Sequence, residues 1–161
     1  MREMSCFFTG HRRIAKSDEN RVITLLDSAI KEKVDMGIRT FIAGGAVGFD
    51  MLAAETVLRF RDENPDIRLC LYLPHKNHDV NWRRNDKQRL FDLIQSADEV
   101  RYISQKYSQT CMKERNFAMI RDAHYCIAWN TGVPSGTNST VLKAKEVGCD
   151  IVNLAQKKNG F

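Results

Sequence analysis

The chain of 161 residues contains no apolar run that approaches the length of a membrane span, and its basic start, Met1-Arg2-Glu3, leads into only a few apolar residues. A membrane-embedded protein is therefore not expected, and a cytoplasmic one is. C-x-x-C pairs are also missing. The five cysteines (Cys6, Cys70, Cys111, Cys126 and Cys149) are odd in number and scattered, which argues against a disulfide framework or a zinc ribbon. Cys6, Cys70 and Cys126 lie inside apolar runs, as small core residues of a protein in a reducing compartment do. Basic residues form no long block. The formal charge of +5 thus favours anionic partners without indicating a nucleic-acid-binding arm. No linker, repeat or low-complexity segment divides the sequence. It reads as one domain over residues 1–161, with a loose tail from about residue 155.

What is present is alternation. Six short apolar runs (Cys6-Phe7-Phe8, Thr40 to Ala43, Ile67 to Leu73, Val100 to Ile103, Tyr125 to Trp129 and Ile151 to Leu154) have the near-continuous apolar character of strands covered on both faces. Helical stripes separate them. Val22, Leu26, Ala29 and Ile30 form the first, ahead of Gly37. Leu52, Ala53, Val57 and Leu58 form the second, ahead of Asn64-Pro65. Leu90, Leu93 and Ala97, then Met112, Phe117 and Ile120, then Val141, Ala144 and Val147 supply three more. This pattern predicts a Rossmann-like α/β domain of three layers, αβα, around a mainly parallel sheet of about six strands.

In such folds ligands bind beyond the carboxyl ends of the strands. Unusual polar residues collect there. Thr9-Gly10-His11-Arg12-Arg13 follows the first run, Gly44-Gly45-Ala46-Val47-Gly48-Phe49-Asp50 the second, Pro74 to Asp79 the third, and Asn130 to Thr137 the fifth. The glycine cluster runs from a strand into a helix, an order that presents backbone N–H groups to a phosphate. It lacks the Gly-Lys-Ser/Thr of a P-loop. It also lacks the ribose-binding acid of a dinucleotide fold, because the next strand ends in Leu73-Pro74-His75. Gly44, Gly45 and Gly48 are accordingly candidate phosphate contacts or, alternatively, only tight-turn residues. Gly45→Asp is expected to weaken nucleotide binding with the fold intact.

Asp50, in the first helical turn, either favours the helix dipole or accepts bonds from sugar hydroxyls. Arg12 can hold a phosphate in fork geometry. His11 is an acid–base candidate or a hydrogen-bonded structural histidine. Ser135, Gly136 and Thr137 precede the last helix as a second anion cradle, an N-cap, or both. Arg115 and Asn116 open another helix within reach of the same edge, or lie on an exposed charged face. His75, His78 and Asp79 lack further ligands at diagnostic spacing, so no metal site is read here. Trp82 with Arg83, Arg84, Lys87 and Arg89 fits an amphipathic helix with a wet face better than a nucleic-acid surface. The Gly-x-Ser-x-Gly elbow of a serine hydrolase is missing around Ser135.

Thr9-Gly10-His11-Arg12, the glycine cluster through Asp50, Leu73-Pro74, Trp82, Tyr107, Arg115-Asn116 and Ser135-Gly136-Thr137, in this order, resemble the YpsA-type branch of the SLOG superfamily. That superfamily unites the DNA-processing Smf/DprA proteins with the LOG phosphoribohydrolases. The resemblance implies a Rossmann-like domain that binds a nucleotide or nucleotide derivative at its glycine-rich edge. LOG enzymes carry Pro-Gly-Gly-x-Gly-Thr-x-x-Glu. Here the segment from Pro134 reads Ser135-Gly136-Thr137-Asn138-Ser139-Thr140, with Thr140 in the glutamate's place. The expectation is therefore a nucleotide-binding or sensing module, a homodimer or higher homo-oligomer, with no resident cofactor. The alternative is an N-glycosidic hydrolase or transferase acting on nucleoside monophosphates, for which Asp50, Glu114 and His11 are the candidate catalytic groups. DprA-like binding of single-stranded DNA is a third reading and not the favoured one.

Overall fold

The computed structural model describes residues 2–155, so the tail expected to be loose, residues 156–161, lies outside the described residues. The elements follow in the order β1 (Ser5–Gly10), α1 (Glu19–Asp35), β2 (Thr40–Ala43), α2 (Phe49–Glu63), β3 (Arg68–Leu73), α3 (Arg84–Ser96), β4 (Glu99–Tyr102), α4 (Cys111–Asp122), β5 (Tyr125–Trp129), α5 (Gly136–Glu146) and β6 (Asp150–Asn153). Single 3-10 turns stand at Arg2–Met4 and Lys16–Asp18. The expected strands are all present, β2 and β5 with the expected ends and the others with ends moved by at most two residues.

All neighbouring strands pair in parallel, in the order β4-β3-β2-β1-β5-β6. The sheet grows outward from β1 through β4. The chain then crosses back through α4 and continues on the other side of β1. The direction of growth thus reverses between β1 and β5, where Gly10 lies beside Trp129 in register. A crevice opens at such a reversal because the loops leaving the two strands go to opposite faces of the sheet.

Strand periodicity of two separates the core into two layers. Cys6, Phe8, Phe41, Ala43, Leu69, Leu71 and Ile127 face α1, α2 and α3, burying Val22, Leu26, Met51, Val57, Leu90 and Leu93. The alternate residues Phe7, Ile42, Cys70, Tyr72, Cys126 and Ala128 face α4 and α5, against Ala118, Met119, Val141 and Ala144. Both faces are covered, which is why the central strands contain almost no polar residue. Helix α1 closes with Ile38 N–H donating to Lys33 O (3.0 Å) and Gly37 N–H to Val34 O (2.9 Å). Helix α5 ends the same way, with Cys149 N–H on Ala144 O (2.9 Å) and Gly148 N–H on Lys145 O (3.1 Å). These reverse bonds satisfy carbonyls that a helix end otherwise leaves open.

Candidate functional site

The β1–β5 reversal holds a cavity of about 740 Å³. One wall is the end of β1 and the loop after it, from Thr9 through Arg13 to Ile14. The opposite wall is the loop after β5 and the start of α5, with Thr131, Val133, Ser135, Gly136 and Thr137. Ala46 and Asp50 enter from α2 and the loop before it, and Met112, Arg115 and Asn116 from α4. Of the expected site residues, Thr9, Gly10, His11, Arg12, Asp50, Arg115, Asn116, Ser135, Gly136 and Thr137 therefore meet around one space.

Gly44, Gly45 and Gly48 do not line it. Gly48 (φ +83°) lies so close to the β1 loop that a Cβ would sit 2.3 Å from Arg12 O, and Phe49 N–H donates to His11 O at 3.2 Å. That amide of the α2 N-terminus is thus already capped by protein. Gly45 (φ +70°) would place a Cβ 2.2 Å from Leu73 Cδ2, and its carbonyl is 3.2 Å from His78 Nε2. At Gly44 a Cβ would fall 2.8 Å from both Arg115 Nη1 and Asp50 Oδ2, and the Arg115 guanidinium donates to Gly44 O. The cluster is a hub in which backbone and charged groups approach more closely than a side chain permits. Gly45→Asp, expected from sequence to spare the fold, would instead collide with Leu73 in a conformation that favours glycine.

The loop after β3 also stays outside the cavity. His78 braces the glycine hub, and its ring lies edge-on to Trp82 with centroids 5.0 Å apart. His75 does the same with Tyr107 at 5.8 Å. Among the described residues no group of three or more His, Cys, Asp or Glu side chains is placed to hold a metal ion. Arg89, from the basic α3, forms a two-pronged ion pair with Glu55 at 3.0 and 2.6 Å. Glu114 is exposed, accepts a bond from Thr110 Oγ1 (2.8 Å) and does not reach the cavity.

Asp50 is the distinctive group. It is 5% exposed; Oδ2 accepts a long bond from Ala46 N–H (3.4 Å), and Oδ1 has no hydrogen-bond partner among the described residues. Burial pushes its pKa up to about 6, against the opposing pull of Arg115, the Ala46 amide and Arg12. Arg115 is equally buried, and its Nε donates to Asn116 Oδ1 at 2.8 Å. This guanidinium tempers the cost of the carboxylate without covering Oδ1.

His11 Nε2 accepts a bond from Thr131 N–H at 3.0 Å, with Thr131 Oγ1 at 3.1 Å. A neutral ring therefore carries its proton on Nδ1, and burial lowers the pKa in the same direction. The contact ties the two lips of the cavity together. Arg12 is exposed at the rim, with Nη2 3.1 Å from Met112 Sδ. On the far side Ser135 Oγ caps α5 by accepting from Asn138 N–H (3.2 Å), so the N-cap reading holds. The amides of Gly136 and Thr137, in the first turn, have no intrahelical acceptor by position, and the space beside Gly136 is open. Thr140 is buried and its hydroxyl donates back to Gly136 O at 2.7 Å, leaving no carboxylate at that point.

Sequence reasoning missed the apolar part of the lining, Ile14, Met112, Trp129 and Val133. The signal available was the position of Trp129 as the last residue of a strand run, at the edge where the loops converge. It also missed the asparagine lattice beneath the β5 loop. Asn153 Oδ1 accepts from Asn130 N–H (3.0 Å), Asn153 Nδ2 donates to Asn130 O (2.9 Å), and Asn130 Nδ2 donates to Asn138 Oδ1 (3.2 Å).

Comparison with known proteins agrees with this architecture. A UPF0398 protein of Oenococcus oeni is 26% identical over 117 residues, covering 68% of this chain and 62% of the relative. One of Halalkalibacterium halodurans is 24% identical over 107 residues, covering 65% and 52%. The chain thus matches only about half to three fifths of the length of these relatives. DNA processing protein A of Helicobacter pylori superposes over 96% of this chain and 66% of its own with a TM-score of 0.67 at 19% identity. That of Streptococcus pneumoniae does so over 91% and 48%, with a TM-score of 0.64 at 15% identity. These likenesses are of fold. The sequence profile of the YpsA (YspA SLOG) family matches residues 6–146, and the chain belongs to that family.

Proposed function

We propose that this protein is a binding or sensing module for a nucleotide or nucleotide-derived ligand, seated between β1 and β5. The observation that carries the reading is the cavity at the β1–β5 reversal, where the buried Thr9, Asp50, Arg115 and Thr137 side chains meet the open N-terminus of α5. The α5 end attracts an anion, and the threonine hydroxyls that line the cavity offer hydrogen bonds of either sense. A nucleotide suits both, through its phosphate and its hydroxyls. Gly136 and Thr137 amides with Arg12 receive the phosphate, and Ile14, Met112 and Val133 give the base an apolar rim. The volume suits a ligand of this size, since small-molecule sites run to about 300–1,000 Å³. Native mass spectrometry of freshly purified protein, then calorimetric titration with AMP, GMP, CMP and UMP, tests it. A co-purifying nucleotide or saturable binding is expected; a protein that carries none and binds none of the four rejects the reading. Release of free base during the titration would move the assignment to N-glycosidic hydrolysis, with Asp50 as the carboxylate in place.

Single-stranded DNA is the second reading, favoured by the fold neighbour described as binding it and by the net charge of +5. Phosphate-tracking binding would weaken steeply as salt rises. A gel-shift without binding at low salt dismisses it.

A further inference from the structure

The loop after β1 has a second side. Arg12, Arg13, Ile14 and Ala15 line the cavity at the β1–β5 reversal, and the same four residues line a groove of about 990 Å³ that runs to the starts of α2 and α3. The two spaces adjoin because the loop between them is pressed down onto α2. Gly48 has no side chain to hold it off: a Cβ there would meet Arg12 O at 2.3 Å, and Phe49 N–H donates to His11 O. A ligand that touches Arg12 in the cavity enters the groove by passing over this one stretch of loop.

Charge in the groove is unevenly compensated. Its acids, Glu19 and Asp86, act on Arg89, whose positive charge is favoured first by its bond to Glu55 and then by Asp86 and Glu19. Arg13 and Arg83 are exposed, and neither side chain has a hydrogen bond, ion pair or aromatic contact among the described residues. Arg83 is the N-cap residue of α3, yet its side chain makes no capping bond. Two guanidinium groups, one from the β1 loop and one from the α3 start, are thus free to fork onto an anion. A nucleotide with a single phosphate at the α5 amides and Arg12 leaves both of them unused.

Resting on the nucleotide reading above, we infer that this groove is a second subsite, which takes a further anionic group of the ligand on Arg13 and Arg83. The ligand class is then a nucleotide that carries at least two phosphates. The terminal phosphate of a nucleoside diphosphate and the internucleotide phosphate of a dinucleotide supply the same chemistry. Water and salt screen an exposed arginine–phosphate contact, so the second phosphate adds a step in affinity and not the whole of it.

Calorimetry on the intact protein compares whichever of AMP, GMP, CMP and UMP binds most tightly with its 5′-diphosphate and with the 5′-phosphorylated dinucleotide of the same base. At least about fivefold tighter binding of one of these two is expected. A gain for the diphosphate assigns the subsite to a terminal phosphate, and a gain for the dinucleotide alone assigns it to an internucleotide one. Arg83→Ala, which lies outside the first cavity, should bring the affinities for one and two phosphates together. Arg68→Ala removes an equal exposed charge at the other end of the strands and should keep them apart. Circular dichroism checks the fold of both variants. Equal affinity for all three ligands, or a gap that Arg83→Ala retains or Arg68→Ala also closes, overturns the inference and leaves the nucleotide reading standing. Binding of none of the four monophosphates overturns both.

Discussion

A carboxylate buried without a full set of donors works against folding, and Asp50 makes that cost measurable. In an unfolded chain its carboxyl ionises in the ordinary range; in the folded protein burial raises the pKa to about 6. Between those values the folded state binds more protons, so the contribution of Asp50 to stability falls as pH rises through about 4 to 6. Asp98 and Asp122 run the other way. Burial opposes their charge, but the Leu69 amide with Arg61, and Arg121 with Tyr72, outweigh it and hold both pKa values low. The useful quantity is therefore a difference between variants. Asp50→Asn should stabilise the ligand-free protein at pH 8 by on the order of 1 kcal/mol, with the gain shrinking toward pH 5. Thermal melts of both proteins across that range check it; a constant difference would mean that Asp50 does not titrate there. Asp50 was legible in the sequence as an acid in a first helical turn and a candidate binding or catalytic group, but not as a buried one. Its surroundings depend on Arg115, which α4 brings from far along the chain against the Gly44–Ala46 loop.

At the scale of elements, the two glycine-bearing helix starts exchange the parts that local order assigns them. The α2 start carries the glycine cluster, yet the β1 loop covers it through His11 O and Arg12 O. The α5 start carries one glycine and a serine cap, and it opens on the cavity. Ser135→Ala removes the Oγ that accepts from Asn138 N–H, and should destabilise the protein by about 1 kcal/mol. Nucleotide affinity should drop with it, because the α5 start loses the cap that fixes the Gly136 and Thr137 amides. Chemical denaturation paired with calorimetry reads both effects; a stability loss with unchanged affinity would remove α5 from the phosphate site. Strands, helices and their order were legible because a two-sided parallel sheet leaves uninterrupted apolar runs. The covering of α2 was not, since it depends on how closely one loop lies over another.

For the molecule as a whole, the helix layer formed by α4 and α5 leaves Phe117 and Leu142 exposed, and Val152 is exposed on the edge strand β6. Exposed apolar side chains of this kind favour self-association, the expectation that the sequence raised. Sedimentation velocity at tens of micromolar should show a dimer that Leu142→Glu shifts toward monomer, without loss of thermal stability. A monomeric unaltered protein would reject that assembly. The sequence by itself determined the alternation of strand and helix, the parallel sheet buried on both faces, and the edge at which polar loops gather. Each of these follows from side-chain periodicity and local turn chemistry, which neighbours in the chain dictate. Only the tertiary structure decided which loops enclose the cavity, that the glycine hub is packed rather than open, and that Asp50 is buried with one oxygen lacking a partner among the described residues. Those outcomes rest on the strand order, which reverses between β1 and β5, and on contacts between residues whose separation along the chain carries no local signal.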